Sequence, residues 1–376
     1  MRVLVWSGAF WPQVGGIEIF TAQLLLALQE RGYQFTVVTS FSDPSLPAKA
    51  YYGGIPIFRF PFLSYSSLDQ LMSLRQRVAE LKRTFTPDLV HIHSVNPSNF
   101  FHLTTTNAHP TPFLVTLHGE WPQQADALMS LTLRNAAWVV GCSEAVLLRG
   151  QQFAPEIIPR SSVIYNARKE PSLLPGPLPS KAPRVLCLGR LAPEKGFDLA
   201  LTAFAAVIER HPHARLLIAG DGPARSDLER QAGQSGLGRA VDFVGWVAPD
   251  QIPALLNGAT AVVIPSRQEG LPLVAVEAAL MARPVVATRV GGLPEAIVHQ
   301  QTGVLVEPED AKALAEAIAG VLAHPETAAQ MGRAAYRRAR DVFSWERHVN
   351  AYDALYQKLI ADRRRSTAPR PGNQVR

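Results

Sequence analysis

The chain has 376 residues and a formal net charge of +6, and 47% of its residues are hydrophobic, which is enough for a large core and predicts two domains. Residues 361–376 carry five arginines and one aspartate, so a charge of only +2 is left on the other 360 residues. This distribution predicts a solvated basic tail and no nucleic-acid-binding face. No apolar run approaches the about 18 residues of a membrane span and the first residues lack a signal-peptide pattern, which together predict a cytoplasmic protein.

The first half of the chain alternates strand-like and helix-like segments. Short β-branched runs predict strands at Arg2–Ser7, Phe35–Thr39, Ile55–Phe60, Asp88–His93, Phe113–Leu117 and Trp138–Cys142. A helical pattern, Ile17–Arg31, lies between the first two, and this alternation predicts a parallel sheet covered by helices. Cys142 and Cys187 lie in apolar strand-like runs, which indicates two core cysteines and no disulfide.

Residues 66–85 form an amphipathic helical pattern. Its apolar and cationic positions are Leu68, Leu71, Leu74, Val78 and Leu81 against Arg75, Arg77, Lys82 and Arg83. Two interpretations stay open: a surface helix packed on the sheet, or a helix that makes a peripheral contact with an anionic membrane at the inner membrane surface.

A proline-rich segment, residues 167–183, separates the two halves and predicts a linker. The alternation restarts with predicted strands at Val185–Leu188, Arg215–Ala219, Val241–Val244, Ala261–Ile264 and Pro284–Ala287. We predict two Rossmann-like, doubly wound α/β domains, residues 1–166 and 184–343, which face a cleft because ligands bind beyond the carboxyl ends of parallel strands. A last helical pattern, residues 344–361, is compatible with packing back on the first domain, although its spacing does not determine where it packs, and residues 362–376 form the flexible tail.

Glycines and cations occupy the loops that leave two of the predicted strands. Gly15 and Gly16 open the first helix, where free N–H groups and a partial positive charge suit a phosphate. Arg190 and Lys195 follow the first strand of the second half. The planar guanidinium of arginine and the compact ammonium charge of lysine together suit a diphosphate. A solvated loop remains the alternative for these cations. The absence of a G-x-G-x-x-G pattern removes the main support for a nicotinamide dinucleotide site.

The segment EGLPLVAVE places two glutamates around an apolar helical pattern with Pro272 in its first turn. Glu269 lies just outside this helix, and Glu277 lies five residues past Pro272, about 7 Å along the axis, with a side chain that tilts back toward the helix start. Carboxylates accept hydrogen bonds from hydroxyl groups, while the backbone N–H groups at the helix start suit a phosphate. The segment therefore predicts a site for a phosphate and a polyol. A Glu277 that pairs or caps inside the core remains the alternative.

Six sequence segments, taken together, resemble a known family. WPQVGG, GRLAPEKG, AGDGP, VDFVGWV, EGLPLVAVEA and VGGLPEAI follow one another between Pro12 and Glu295. In this order they resemble the retaining glycosyltransferases of family 4, which have the two-domain GT-B fold. The resemblance implies a hexosyltransferase that moves a sugar from a UDP- or GDP-linked donor to a hydroxyl of a glycan, glycolipid or small-molecule acceptor.

The same resemblance implies roles for individual residues. Arg190 and Lys195 would bind the donor diphosphate and stabilise the leaving group, Glu269 would contact the donor sugar, and His118 would lie beside the transferred sugar. The implied donor-binding residues are Gly15 and Gly16 near the diphosphate, Gly245 and Val247 near the base, Gly270, Leu271 and Leu273 at the helix start, and Glu277 at the ribose. Trp11, Glu120 and Trp121 would contact the acceptor, although their chemistry is generic.

The chain departs from the family pattern at two positions. Ala167 replaces the glycine of a P-N-G-V-D type turn in which Asn166 is kept, and Glu120 follows Gly119 where the family frequently has H-D. Because the chain contains no D-x-D, we predict transfer without a metal ion or a cofactor. Front-face transfer is favoured over double displacement, which stays open. A nucleotide-sugar epimerase or phosphorylase on the same fold, and a non-catalytic nucleotide-binding protein, remain alternatives.

Overall fold

The computed structural model describes residues 1–12, 15–119, 127–179 and 181–367. The chain divides into two compact units. The first unit comprises Met1–Cys142, Val146–Ile164 and Val349–Arg376, and the second comprises Ser143–Ala145 and Tyr165–His348. The longer part of the second unit starts at Tyr165 and includes the described residues of segment 167–183, which was predicted as a linker between the domains.

The first unit is built on a largely parallel sheet. Its strands are β1 (Arg2–Ser7), β2 (Gln34–Ser40), β3 (Lys49–Tyr52), β4 (Ile55–Phe60), β5 (Leu89–His93), β6 (Phe113–Leu117), β7 (Trp138–Gly141) and β8 (Ser161–Val163). They lie in the order β3-β4-β2-β1-β5-β6-β7-β8, with β3 antiparallel to β4 and the other neighbours parallel. Residues 3–6 of the central β1 are fully buried, as expected for a parallel strand covered on both faces.

Helices connect these strands. Those up to residue 153 are α1 (Gly16–Gln29), α2 (Leu68–Phe85), α3 (Asn99–Leu103), α4 (Ala127–Asn135) and α5 (Glu144–Phe153). Short 3₁₀ helices lie at Thr106–Ala108 and Pro155–Arg160. Helix α2 begins after Ser67, whose side chain accepts a hydrogen bond from the N–H of Gln70, and it ends at Thr86 in the left-handed conformation.

Helix α2 buries most of the apolar face that its sequence pattern predicts, together with one of the predicted cationic positions. Leu74 and Val78 are buried as expected, but Leu68 is 72% exposed. Lys82, predicted on the charged face, is 1% exposed, and its Nζ donates a hydrogen bond to the backbone oxygen of His102 at 2.9 Å. The apolar stem of lysine packs like a hydrophobic side chain, and burial lowers the pKa of Lys82 to about 7.

The second unit contains a fully parallel sheet. Its strands are β9 (Arg184–Leu188), β10 (Arg215–Ala219), β11 (Val241–Gly245), β12 (Ala261–Ile264), β13 (Val285–Thr288) and β14 (Gly303–Val306), in the order β11-β10-β9-β12-β13-β14. The helices are α6 (Phe197–Arg210), α7 (Arg225–Gln234), α8 (Ile252–Asn257), α9 (Leu273–Leu280), α10 (Leu293–Ala296), α11 (Ala311–Ala323) and α12 (Pro325–Val342), with a 3₁₀ turn at Pro193–Lys195. The two parallel α/β sheets confirm the predicted fold class.

The last helix, α13 (Trp345–Thr367), contributes its residues from Val349 onward to the first unit. Tyr352 and Tyr356 of this helix are fully buried there, so it supplies part of the core of that unit. Within the residues that the structure describes, no helix is both long enough and apolar enough to cross a membrane.

Hydrogen bonds attach the proline-rich segment to the rest of the second unit. Arg283 is fully buried and donates hydrogen bonds to the backbone oxygens of Gly176 and Pro177. The hydroxyl of Thr260 donates to the oxygen of Pro179 at 2.8 Å. Proline has no backbone N–H to donate, but its carbonyl oxygen can still accept a hydrogen bond. The carbonyl oxygens of this segment therefore accept hydrogen bonds from side chains, since the segment cannot join a sheet.

Candidate functional site

Three loops meet at the carboxyl edge of the sheet in the second unit. Strand β12 lies between β9 and β13, so the loops that follow these strands are neighbours. Arg190 and Lys195 lie in the loop after β9, Glu269 in the loop after β12, and Gly291 in the loop after β13. The first two loops are joined by a hydrogen bond from the N–H of Arg267 to the backbone oxygen of Glu194 at 2.8 Å.

Glu269 is the centre of a compact polar group. Its Oε1 accepts hydrogen bonds from Lys195 Nζ and from Ser266 Oγ, each at 2.7 Å. The Glu269 side chain is only 6% exposed, whereas that of Lys195 is 27% exposed. A carboxylate so deeply buried requires a partner, and Lys195 supplies the opposite charge while its own ammonium group still reaches solvent. Ser266 was not among the predicted site residues.

Gly196 lets the loop after β9 approach the loop after β12. It has a φ of 64°, in the left-handed region, and a Cβ there would lie 2.0 Å from the backbone oxygen of Pro265. Any side chain would force these loops apart and separate Lys195 from Glu269.

Arg190 extends toward solvent. Its Nη2 donates to Glu194 Oε1 at 2.5 Å, and its side chain is 63% exposed. A solvent-exposed ion pair of this kind contributes about 0–1 kcal/mol. The guanidinium can therefore leave Glu194 for a more highly charged anion at little cost.

Two backbone oxygens of the loop before α9 accept hydrogen bonds from other segments of the second unit. The oxygen of Gly270 accepts from the N–H of Gly292 at 2.7 Å and from Ser143 Oγ at 3.2 Å, and that of Leu271 accepts from Asn166 Nδ2 at 3.1 Å. The C=O and N–H of a trans peptide point in opposite directions, so the N–H of Leu271 points away from Gly292 and Ser143. Helix α9 begins at Leu273, with Pro272 as its N-cap, one position before the predicted first turn.

Glu277 is also paired with a cation. Arg168 Nε donates to Glu277 Oε1 at 2.7 Å, and the two side chains are 14% and 16% exposed. The paired glutamate that the sequence left as an alternative is thus the arrangement in the structure. The pair leaves the second carboxylate oxygen, Oε2, as a further acceptor. Arg168 was not predicted, because it lies 109 residues away in the chain.

The end of β11 carries an exposed aromatic residue. Gly245 has a φ of 78°, and its backbone oxygen accepts from the N–H of Gly220 at 2.7 Å. Val244 and Trp246 on either side are 44% and 60% exposed. Val247, the other residue predicted near the base, is partly buried against the core. The indole ring of Trp246 is a flat apolar surface of the kind on which a base stacks.

Histidines and hydroxyl groups occupy the carboxyl edge of the sheet in the first unit. His93 at the end of β5 and His118 just after β6 are 1% and 8% exposed, and their Nδ1 and Nε2 atoms are 3.2 Å apart. Thr21 Oγ1 of α1 lies 3.3 Å from the same His93 Nδ1. The predicted His118 is therefore held by a neighbouring histidine.

His91 belongs to a second hydrogen-bonded group in that unit. Its Nδ1 lies 2.6 Å from the hydroxyl of Tyr356, and its Nε2 lies 2.8 Å from Thr116 Oγ1. Thr116 Oγ1 in turn lies 2.9 Å from the hydroxyl of Tyr352.

Within the described part of the chain, no group of three or more His, Cys, Asp or Glu side chains is placed to hold a metal ion.

The start of α1 holds a carboxylate of its own. Gly15 is the N-cap and Gly16 the first helical residue, and a Cβ at Gly15 would lie 2.1 Å from Glu18 Oε2. The Glu18 carboxylate therefore lies over the helix start at which a phosphate was predicted. Trp11 is 42% exposed, and its ring contacts that of Tyr52. The other predicted acceptor residues, Glu120 and Trp121, lie outside the described residues.

Comparisons with known proteins cover most of the chain. The family described as glycosyl transferases group 1 matches residues 175–338, and glycosyltransferase family 4 matches residues 14–168. A glycogen synthase of Mycobacterium tuberculosis is 31% identical over 318 residues, 79% of this chain and 74% of that protein. A GDP-mannose-dependent α-(1-6)-phosphatidylinositol monomannoside mannosyltransferase of Mycolicibacterium smegmatis is 36% identical over 170 residues, 43% of this chain and 44% of that one.

The fold is also that of solved structures. The structure of a sucrose-phosphate synthase from Thermosynechococcus elongatus superposes with a TM-score of 0.81 at 24% identity, over 96% of this chain and all of that one. At this identity the likeness establishes the fold, which has two parallel-sheet α/β domains.

Proposed function

The chain belongs to family 4 of the GT-B glycosyltransferases, and we propose that it transfers a hexose from a UDP- or GDP-linked donor to a hydroxyl acceptor with retention of anomeric configuration and without a metal ion. The enzyme class and the use of a nucleotide-sugar donor follow from the family match and from relatives of 31–36% identity. The stereochemistry, the metal independence and the roles of individual residues are the proposal. With the class established, the epimerase and non-catalytic alternatives are set aside.

The contact of Lys195 with Glu269 and Ser266 is the observation that carries the proposal. Cleavage of the bond to the donor sugar leaves negative charge on the diphosphate, and a fixed cation beside it stabilises that charge in the transition state. Lys195 is held in place by a buried carboxylate, so little reorganisation is needed when the charge develops. Exposed Arg190 adds a second cation that can move onto the same group.

The roles proposed for the acidic residues follow from the same geometry. Glu269 has one oxygen engaged by Lys195 and Ser266, and its other oxygen can accept a hydrogen bond from a hydroxyl of the donor sugar. Glu277 is proposed to bind the ribose, and the loop from Gly245 to Val247 the base. His118 is proposed to contact the transferred sugar.

Positive charge from protein groups can replace that of a metal ion in this scheme. Lys195, Arg190 and the start of α9 supply it. In the proposed front-face reaction, the bond between the anomeric carbon and the leaving phosphate oxygen breaks while the acceptor oxygen attacks from the same face. The departing phosphate oxygen takes the proton of the acceptor hydroxyl, so charges and atoms balance without an enzyme nucleophile.

The acceptor class is proposed to be a glycan, a glycolipid or a small molecule. The named relatives differ in their acceptors, glycogen for one and a phosphatidylinositol mannoside for the other, at similar identity. A peripheral membrane contact is supported by exposed apolar side chains at and before the start of α2: Leu63, Tyr65, Leu68 and Met72. Co-sedimentation with vesicles of mixed neutral and anionic lipids tests this contact, and protein left entirely in the supernatant contradicts it.

A donor and acceptor screen tests the function. UDP-glucose, UDP-galactose, UDP-N-acetylglucosamine and GDP-mannose are each incubated with glycan, glycolipid and polyol acceptors, in the presence and absence of excess EDTA. We expect release of UDP or GDP and an acceptor heavier by one hexose unit, at equal rates with and without EDTA. A strict requirement for a divalent cation contradicts the metal-free scheme, and donor binding with neither transfer nor hydrolysis contradicts catalysis.

A further inference from the structure

Residues 165–168 form an extended segment, here called the strap, that follows β8 and is attached to the second unit. The backbone oxygen of Tyr165 lies 2.7 Å from His348 Nδ1, and Arg168 forms an isolated β-bridge with Ser344. The strap is thus fixed by backbone contacts independent of the motif that carries Glu269 and Glu277.

Two side chains of the strap hold the two ends of that motif. Asn166 Nδ2 donates to the oxygen of Leu271 just before α9, and Arg168 Nε donates to Glu277 Oε1 within α9. Asn166 and Arg168 thus both contact the motif, while Ala167 between them is 1% exposed. Arg168 therefore reaches Glu277 from a segment that Tyr165 and Asn166 already attach to the second unit.

The strap is also where this chain departs from its family. The P-N-G-V-D type pattern has an apolar valine at the position of Arg168, which could not form an ion pair with a carboxylate. In this chain a guanidinium occupies that position and contacts the glutamate that, on the proposed function, binds the donor ribose. Both side chains are largely buried, which reduces the screening of the pair by solvent.

We propose that Arg168 is a positioning residue that makes this enzyme selective for ribonucleotide donors, by holding Glu277 in the one orientation that accepts hydrogen bonds from the ribose hydroxyls. The inference rests on the proposed function of Glu277. Arg168 occupies one acceptor position on Oε1 and fixes the plane of the carboxylate, and Oε2 remains for the sugar. Without Arg168, Glu277 samples several rotamers and binds the ribose in only a fraction of them.

Nucleotide binding tests the proposal separately from catalysis. The dissociation constants of UDP, GDP and their 2′,3′-dideoxy counterparts, which lack both ribose hydroxyls, are measured by calorimetry on the wild type, R168Q and R215Q. Arg215 pairs with Asp242 at 2.8 Å at the start of β10, outside the three loops of the site, so R215Q is the matched loss of one ion-paired arginine. We expect R168Q to weaken the preferred ribonucleotide about tenfold, the size of one hydrogen bond to a charged group. Binding of the dideoxynucleotide should stay within about twofold, and R215Q should change neither.

A purely structural role of Arg168 predicts a different pattern. If R168Q weakens the ribo- and 2′,3′-dideoxynucleotides equally, or weakens neither, the proposal is overturned. Should R168Q fail to fold, R168K is measured instead, because an ammonium group cannot reproduce the planar guanidinium contact. An R168K protein with the wild-type ratio of ribo to dideoxy affinity also overturns the proposal.

Failure of the inference can be told apart from failure of the function. A wild-type protein that prefers ribonucleotides and loses the preference in R168Q, but transfers no sugar, supports Arg168 and contradicts the transferase proposal. A wild-type protein that transfers sugar with an unchanged preference in R168Q contradicts Arg168 alone.

Discussion

The carboxyl edges of the two sheets are built from different chemistry. In the first unit, hydrogen bonds connect imidazole and hydroxyl groups, as in the contacts of His93 with His118 and of His91 with Tyr356. In the second unit, the corresponding edge holds ion pairs, Lys195 with Glu269 and Arg168 with Glu277. Polar groups of the first kind suit an uncharged sugar or acceptor, whereas fixed cations suit an anionic diphosphate.

We therefore expect the ion pairs of the second unit to govern the chemical step, and the hydrogen-bonded group around His91 in the first unit to govern mainly stability. Fixed charges next to a leaving group act on the transition state. A buried network of hydrogen bonds that includes core residues such as His91, Thr116 and Tyr356 acts mostly on the folded state.

The largest expected effect is that of removing Lys195. The K195A protein loses the held cation and should show a turnover number lower by about 10²–10³, comparable to the loss of one preorganised donor. Donor hydrolysis and transfer rates measure this. The matched control is R215A, which removes an exposed arginine paired with Asp242 in the same unit and should retain wild-type turnover. A K195A enzyme with wild-type turnover would contradict the assignment.

Removal of Arg190 should have the next largest effect. Its guanidinium is exposed and only weakly held by Glu194, so R190A should leave the free energy of unfolding unchanged within about 0.5 kcal/mol. Turnover should fall on the order of 10²-fold if this cation stabilises the leaving group. Steady-state kinetics and chemical denaturation of the same preparation separate the two quantities. Equal turnover in R190A and wild type would limit the cationic site to Lys195.

Lys82 of the first unit should make stability depend on pH. Burial lowers its pKa to about 7, from the ordinary lysine value of 10.5, so between these pH values the unfolded chain binds a proton that the folded chain does not. Through this residue, the free energy of unfolding should rise with pH across that window by up to about 1.4 kcal/mol per unit. K82M lacks this titration, so its stability relative to wild type should be greatest at or below pH 7 and decline toward pH 9.5.

Urea denaturation of wild type and K82M at several pH values measures this difference. Other groups, such as the buried thiol of Cys187, titrate in both proteins and cancel in the comparison. A stability difference that does not change between pH 6.5 and 9.5 would show that Lys82 has an ordinary pKa.

The smallest predicted change concerns the hydrogen-bonded group around His91. Y356F removes the hydroxyl that lies 2.6 Å from His91 Nδ1 and should lower the free energy of unfolding by about 1–3 kcal/mol. Turnover should stay within about twofold of wild type, since the network acts on the fold. Y65F, at an exposed tyrosine, is the control and should change neither quantity. A Y356F protein with wild-type stability and a reduced turnover number would show that this network takes part in catalysis.

Much of the fold could be predicted because its sheets are parallel and buried. Apolar β-branched runs such as Arg2–Ser7, Phe113–Leu117 and Ala261–Ile264 have the same bounds in sequence and structure. Three strands at sheet edges were missed: β3 (KAYY), β8 (SSV) and β14 (GVLV) are short and none of them is fully buried, so they lack a long apolar signal. Lys82 was misplaced because the period of a helix does not show which charged stem can be buried.

The candidate site was predictable only for residues that lie in loops directly after predicted strands. Lys195 and Glu269 could be selected because each follows a strand, and parallel strands bring such loops together. The pair of Arg168 with Glu277 depends on a segment 109 residues away, and the contact of His93 with His118 depends on the register of β5 and β6. Such contacts are set by tertiary packing and leave no local pattern in the sequence.

Retention without a metal ion is tested most directly by following the anomeric centre during the reaction. Real-time proton NMR of transfer from the active α-linked nucleoside diphosphate hexose, in excess EDTA, shows the configuration of the new glycosidic bond and the rate at which it forms. We expect an α-linked product formed at the same rate as without EDTA. A β-linked product, or no product until a divalent cation is restored, would contradict it.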